Sequence, residues 1–263
     1  GELFGITAGT DQTTNANNVS FQDLGTSPQI KSPQLIHFDP RKMRCSMTIQ
    51  ERSSCQINTI ILLNDNKTIL CGNNRGHVNA YNYHDGTFIK TVVTLEAQIC
   101  GLLSLQDGER FVVSCANGEL EIYDFFSEQC LYTLKDTKSW VTALVYFEDF
   151  TTIASAGKEA CIQFWDINSG QEIAKIEGAH REWIWCLIYL KDSESVVSSG
   201  GDGAIKIWNY KTQELIGQFN DLNTFVLCGI HIKSQNLLAF GDTNGIIKVL
   251  DAETGNILYN LIG

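Results

Sequence analysis

The sequence predicts an all-β repeat fold, and three observations predict it. One comb of large side chains runs Tyr81, Tyr123, Trp165, Trp208, Leu250, at spacings of 42, 42, 43 and 42. A second comb, Gln56, Gln98, Trp140, Trp183, Phe225, keeps the same four spacings. Third, members of the second comb open apolar runs at fixed offsets: Ile60-Ile61-x-Leu63, Leu102-Leu103-x-Leu105 and Leu144-Val145-x-Phe147. A period in the low forties marks a propeller or solenoid array. Short apolar runs separated by Gly, Asn and Asp turns, with no amphipathic helical stretch, read as antiparallel strands.

Taken in order, residues 1–55 read as an incomplete first blade. Residues 3–8 are apolar and β-prone. Residues 10–34 are rich in Thr, Asn, Ser and Gln, with Pro28 and Pro33. Such a stretch buries too little apolar surface to order itself and is expected to be a long polar loop. Residues 35–39 then resemble a third strand, with Phe38 lying 43 residues before Tyr81, and residues 43–49 a fourth. From Gln56 the four-strand units are regular. Strands are expected at 57–63, 68–72, 77–82 and 87–93 in the unit at about 56–97. The turns between them, such as Asn73-Asn74-Arg75-Gly76 and His84-Asp85-Gly86, carry residues that tolerate positive φ. Units at 98–139, 140–182, 183–224 and 225–263 follow. Their strands fall at 99–105, 111–115, 119–123, 130–134; 141–147, 152–156, 161–165, 172–176; 184–190, 195–199, 204–208, 214–219; and 226–232, 237–240, 246–250, 257–261. The whole of 1–263 reads as one domain. A closed ring leaves few exposed sheet edges, which would otherwise invite aggregation. A chain that opens on Gly1 without Met is expected to be an excerpt of a longer one, with six or seven blades in all.

One repeat carries a fuller pattern: Gly178-Ala179-His180, Trp183, Ser198-Ser199-Gly200-Gly201-Asp202-Gly203 and Ile205-Lys206-Ile207-Trp208-Asn209. The preceding repeat ends Ile162-Gln163-Phe164-Trp165-Asp166. These stretches resemble the WD-repeat β-propeller family. The likeness covers about five repeats, 56–263, with a partial one before them. It implies four-stranded antiparallel blades and a structural hydrogen-bond relay through His180, Ser198, Asp202 and Trp208. The Trp165 repeat keeps Ser155 but has Glu159 at the Asp position and Thr137 near the His position. The Tyr123, Tyr81 and Leu250 repeats place Asn117, Arg75 and Asn244 at the Asp position. The family is commonly attached to other modules, so further domains of the same polypeptide are expected.

Composition narrows the function. Nineteen Lys and Arg against thirty Asp and Glu give a net charge of −11. That opposes a general nucleic-acid or anionic-membrane surface, since both need phosphates neutralised by cations. None of the nine cysteines forms a C-x-x-C pair. Cys71, Cys100, Cys161, Cys186 and Cys228 sit in apolar runs, where a thiol behaves as a small hydrophobe. A reducing, cytoplasmic setting is expected. No apolar run approaches the length of a membrane span. His37, His77, His84, His180 and His231 sit in no metal-ligand pattern, and no G-x-S-x-G elbow occurs. Gly200-Gly201-Asp202-Gly203 opens no helix, so it reads as a hairpin turn and not a phosphate cradle. No catalytic residue, metal or cofactor is expected.

What remains is a surface. In the layout implied by the resemblance, the first-strand openings ring one mouth of the central channel: Gln56, Gln98, Trp140, Trp183, Phe225. Trp185 alternates with Trp183 along one strand and is expected to share its face. Arg181, Lys138, Lys158, Arg75, Glu159, Glu182 and Asp202 are expected near this face. The candidate partner-binding face is therefore Gln56, Gln98, Trp140, Arg181, Trp183, Trp185 and Phe225. Aromatics with mixed charge suit a peptide or partner loop. The competing reading is that these rings only cap the blade cores. The function expected is a non-catalytic interaction scaffold. One alternative is a structural module of a cytoskeletal or coat-type assembly, held by its sides and far end. Another is a propeller hydrolase, which would need carboxylates or metal-ligating histidines at the mouth.

Overall fold

A computed structural model describes residues 55–134, 139–149, 151–219 and 224–262. The incomplete blade expected at 1–55, with its loop at 10–34, lies outside the described residues apart from Cys55, as do Thr137 and Lys138. Within them the chain forms five four-stranded antiparallel sheets. They are β1 (Ile57–Leu62), β2 (Thr68–Asn73), β3 (His77–Asn82), β4 (Phe88–Thr94); β5 (Ile99–Ser104), β6 (Arg110–Cys115), β7 (Leu120–Asp124), β8 (Cys130–Leu134); β9 (Val141–Tyr146), β10 (Thr152–Gly157), β11 (Ile162–Asp166), β12 (Glu172–Ile176); β13 (Ile184–Leu190), β14 (Ser195–Gly200), β15 (Ile205–Asn209), β16 (Leu215–Phe219); and β17 (Val226–Ile232), β18 (Leu237–Asp242), β19 (Ile246–Asp251), β20 (Ile257–Ile262). No α-helix occurs among the described residues. A 3-10 turn at Lys233–Gln235, closed by the left-handed Asn236 at φ 52°, was not expected from the sequence.

The turns repeat as faithfully as the strands. Third strands end on Asp124, Asp166, Asn209 and Asp251, and each side-chain oxygen accepts N–H groups two or three residues on. This lets the chain reverse without orphaning buried donors. The Asp of the Trp165-Asp166 pair is thus a turn cap. The Ser169 hydroxyl and two backbone N–H groups hold its carboxyl below the usual range.

First strands of successive sheets pack against one another, which places them innermost. Outer strands leave Ile89, Leu131, Ile173 and Ile216 exposed. Four apolar clusters fill the four junctions between sheets. In the first, Ile61, Leu70 and Val78 of one sheet meet Leu102, Phe111 and Tyr123 of the next. In the second, Val112, Leu120 and Ile122 meet Ile153 and Trp165. Ile162 and Phe164 likewise meet Leu187 and Trp208, and Ile188 and Ile205 meet Val226, Phe240 and Leu250. Tyr123, Trp165, Trp208 and Leu250 are thus the large side chains that these blades send into the blade before them.

Each first strand also carries one extra residue opposite its neighbour: Asn58, Cys100, Thr142, Trp185 and Leu227. A bulge bends the strand and re-aims a side chain. Asn58 Nδ2 donates to Ile99 O at 2.8 Å and Thr142 Oγ1 to Ile184 O at 2.6 Å, each crossing to the next blade. At the other two junctions a second-strand serine does this, Ser114 Oγ to Val141 O at 3.0 Å and Ser199 Oγ to Val226 O at 3.3 Å.

Candidate partner-binding face

One backbone hydrogen bond per blade puts the first-strand opening and the turn between second and third strands at the same end. Gln56 O accepts from Asn74 N at 2.9 Å and Gln98 O from Ala116 N at 3.0 Å. Trp140 O accepts from Lys158 N at 2.9 Å, Trp183 O from Gly201 N at 2.8 Å, and Phe225 O from Thr243 N at 3.0 Å. The whole second comb therefore lies at one mouth, anchored by its carbonyls, with its side chains left to vary.

The fourth blade is fixed there by a buried chain of hydrogen bonds. Trp208 Nε1 donates to Ser198 Oγ at 2.9 Å, Ser198 Oγ meets His180 Nε2 at 2.7 Å, and His180 Nδ1 meets Asp202 Oδ1 at 2.8 Å. An indole nitrogen only donates, so the hydroxyl must accept it and give its own proton to the imidazole. That makes Nε2 the acceptor and leaves the Nδ1 proton for Asp202. Burial pushes the His180 pKa down, and the Asp202 carboxylate only partly opposes it, so the ring is neutral at pH 7. For Asp202, burial acts to raise the pKa. The Arg181 and Ala204 N–H groups and the His180 ring outweigh it and hold the carboxyl below its ordinary value. Arg181 is exposed, and its backbone N–H is tied to Asp202 Oδ2 at 3.0 Å. In the third blade Trp165 Nε1 donates to Ser155 Oγ at 2.8 Å.

Above this frame sit the aromatics. The rings of Trp183 and Trp185 stack, with centroids 5.1 Å apart and 19° between planes, and Trp140 packs on Trp183 at 5.7 Å and 60°. Lys158 Nζ lies 5.5 Å from the Trp183 ring centre. Trp140 is 36% exposed and Phe225 53%. Gln56 is exposed and Gln98 half-buried. Two details differ from the sequence reading. Trp183 precedes β13 and Trp185 is its bulged residue, a local departure from regular pairing, and their rings share one face as expected. And among the described residues no ring contact joins Phe225 to the tryptophans. Gly201 lies between them, where an added Cβ would stand 3.6 Å from Trp185 Nε1 and 3.7 Å from Phe225 Cδ1. Sequence reasoning took Gly201 only as part of a hairpin, and kept Lys158 outside the candidate set. Its position one turn residue past Trp140's partner strand was the available signal.

Trp185 has a further property. Its Nε1 is buried and has no hydrogen-bond partner. The bulge residues Asn58 and Thr142 reach carbonyls of the next blade, but the corresponding Val226 O is taken by Ser199. Replacing Trp185 with Phe keeps the stack and removes the orphan donor. An orphaned donor costs about 1–3 kcal/mol, so the variant should melt at or above the wild-type temperature, checked by calorimetry. Among the described residues, no group of three or more His, Cys, Asp or Glu side chains is placed to hold a metal ion. No disulfide joins the eight described cysteines to one another, and burial pushes the Cys186 thiol up to about 12.

The profile of the WD domain, G-beta repeat, matches residues 128–166 and 170–209. Each match runs from the outer strand of one blade through the third strand of the next, so the sequence repeat is staggered against the structural blade and ties neighbours together. The chain is also 26% identical over 76 residues to the DENN domain and WD repeat-containing protein SCD1 of Arabidopsis thaliana. That stretch covers 29% of this chain and 6% of the relative, so the two share a small part of the larger protein's length. With the matched repeats, the buried relay and five sheets of one form, WD repeats are detected at residues 128–166 and 170–209, within a described part that folds as five consecutive four-stranded antiparallel sheets consistent with propeller blades.

Proposed function

We propose that this chain is a non-catalytic scaffold that binds a peptide segment or partner loop at the mouth carrying Trp140, Trp183 and Phe225. WD repeats generally mediate protein–protein interaction, and the mouth is where this chain departs from its own repeat. The observation that carries the reading is the Trp140–Trp183–Trp185 cluster, part-exposed at the end where five carbonyls already anchor the turns. Large rigid rings bring contact area at low entropic cost, and such residues dominate interface energies. Lys158 and Arg181 on the rim suit a segment of mixed charge. The acidic composition supports a protein partner over nucleic acid or an anionic membrane. The setting proposed is cytoplasmic.

The opposite end has its own character. Glu148 bridges Lys191 at 2.7 Å and Lys233 at 3.0 Å, joining three blades by exposed ion pairs. Such pairs contribute little individually. The two ends give a direct test by cross-linking the native protein to its partner. Adducts are expected on Lys158. Adducts confined to Lys191, Lys211 and Lys233 would move the partner to the far end and favour a module packed into a larger assembly.

A further inference from the structure

Two blades pair a buried serine with a tryptophan, and they complete the pair differently. In the fourth, Ser198 Oγ accepts from Trp208 Nε1 and gives its own proton to His180, whose other nitrogen meets Asp202. In the third, Ser155 Oγ accepts from Trp165 Nε1 at 2.8 Å. Ser155 is 1% exposed, and among the described residues no group accepts its hydroxyl proton. Beside that hydroxyl lies a cavity of about 10 Å³, lined among others by Trp140, Ser155, Glu159, Cys161 and Gln163. Ser155, Glu159 and Gln163 each stand 43 residues before Ser198, Asp202 and Lys206. Lys206 itself reaches Ala179 O, next to His180. The cavity therefore lies where the next blade places its imidazole ring.

We propose that this cavity binds a single water, which accepts the Ser155 proton and donates to the Glu159 carboxylate and to Gln163 Oε1. Its size suits one water, and a water held in a protein interior needs two to four polar partners. Gln163 Nε2 is spent on Glu172 Oε2 at 3.0 Å, which leaves the amide oxygen to accept. Cavities that stay dry are apolar, and this one is lined by a hydroxyl, a carboxylate and an amide. The water thus serves Ser155 as His180 serves Ser198. Trp140 borders it, so the first ring of the aromatic face rests beside an exchangeable molecule. This inference is independent of the mouth's partner.

The test is a crystal structure of the full 263-residue chain at a resolution that shows ordered water, joined to a solution measurement. In the crystal, one water is expected within about 3.2 Å of both Ser155 Oγ and a Glu159 carboxylate oxygen. In solution, the Trp165 indole proton, assigned by its loss in Trp165→Phe, should show a dipolar cross-peak to long-lived water. The Trp208 indole proton, whose serine is served by His180, should show none. An empty cavity, a protein side chain filling it, a water that touches neither Ser155 nor Glu159, or indole protons that give the same result at Trp165 and Trp208 would each overturn the proposal.

Discussion

Replacing Ser198 with alanine should cost about 3 kcal/mol, roughly twice the loss from Ser155→Ala, because it orphans two buried groups rather than one. Ser198 Oγ is the only bridge between the Trp208 indole and the His180 ring, and its residue is 0% exposed. Without it the indole N–H has no acceptor and Nε2 no donor, in a site where His180 and Trp208 are themselves buried. Ser155 holds Trp165 alone, so its loss orphans one donor. Urea unfolding with unchanged slope measures both. Equal losses would mean that the imidazole contributes nothing through its serine.

Gly157→Ala should be nearly as damaging, about 2–3 kcal/mol, the upper range for forcing atoms into a packed site. A Cβ at Gly157 would stand 2.0 Å from Trp140 O and 2.9 Å from Trp140 C. That carbonyl is held by Lys158 N at 2.9 Å, so backbone and not a pliant side chain must yield. The strain falls on the residue that begins the aromatic face. Gly217→Ala is the control. Its Cβ would meet only Ile207 Cδ1 at 3.9 Å, and a compatible Gly→Ala change stabilises by about 0.4–1 kcal/mol.

How much of this was legible in the sequence follows from what the repeat fixes. A comb such as Tyr123, Trp165, Trp208, Leu250 is set by packing between blades, which recurs every period and so shows as spacing. The relay was legible because four side chains of distinct chemistry stand at fixed offsets around one turn. The bulges at Asn58, Thr142 and Trp185 were not, since an extra residue inside a strand leaves the period unchanged and only the pairing register reveals it. Phe225 was grouped with the tryptophans by register alone. Register gives the end of the molecule on which a ring sits, but contact depends on intervening residues such as Gly201. The exposure of Ile247 was not foreseen either, because its neighbours in sequence match those of Ile205, and among the described residues only Ile205 has a facing blade.

The central claim is that the aromatic mouth binds a partner and does more than cap its blades. Its most direct measurement is the double variant Trp140→Ala, Trp183→Ala, with melting temperature and partner affinity determined on the same sample. We expect affinity to fall by at least about tenfold, the scale of a hot-spot pair, while the protein stays folded. Unchanged affinity alongside a lowered melting temperature would contradict the account and leave these rings as covers for the blade ends.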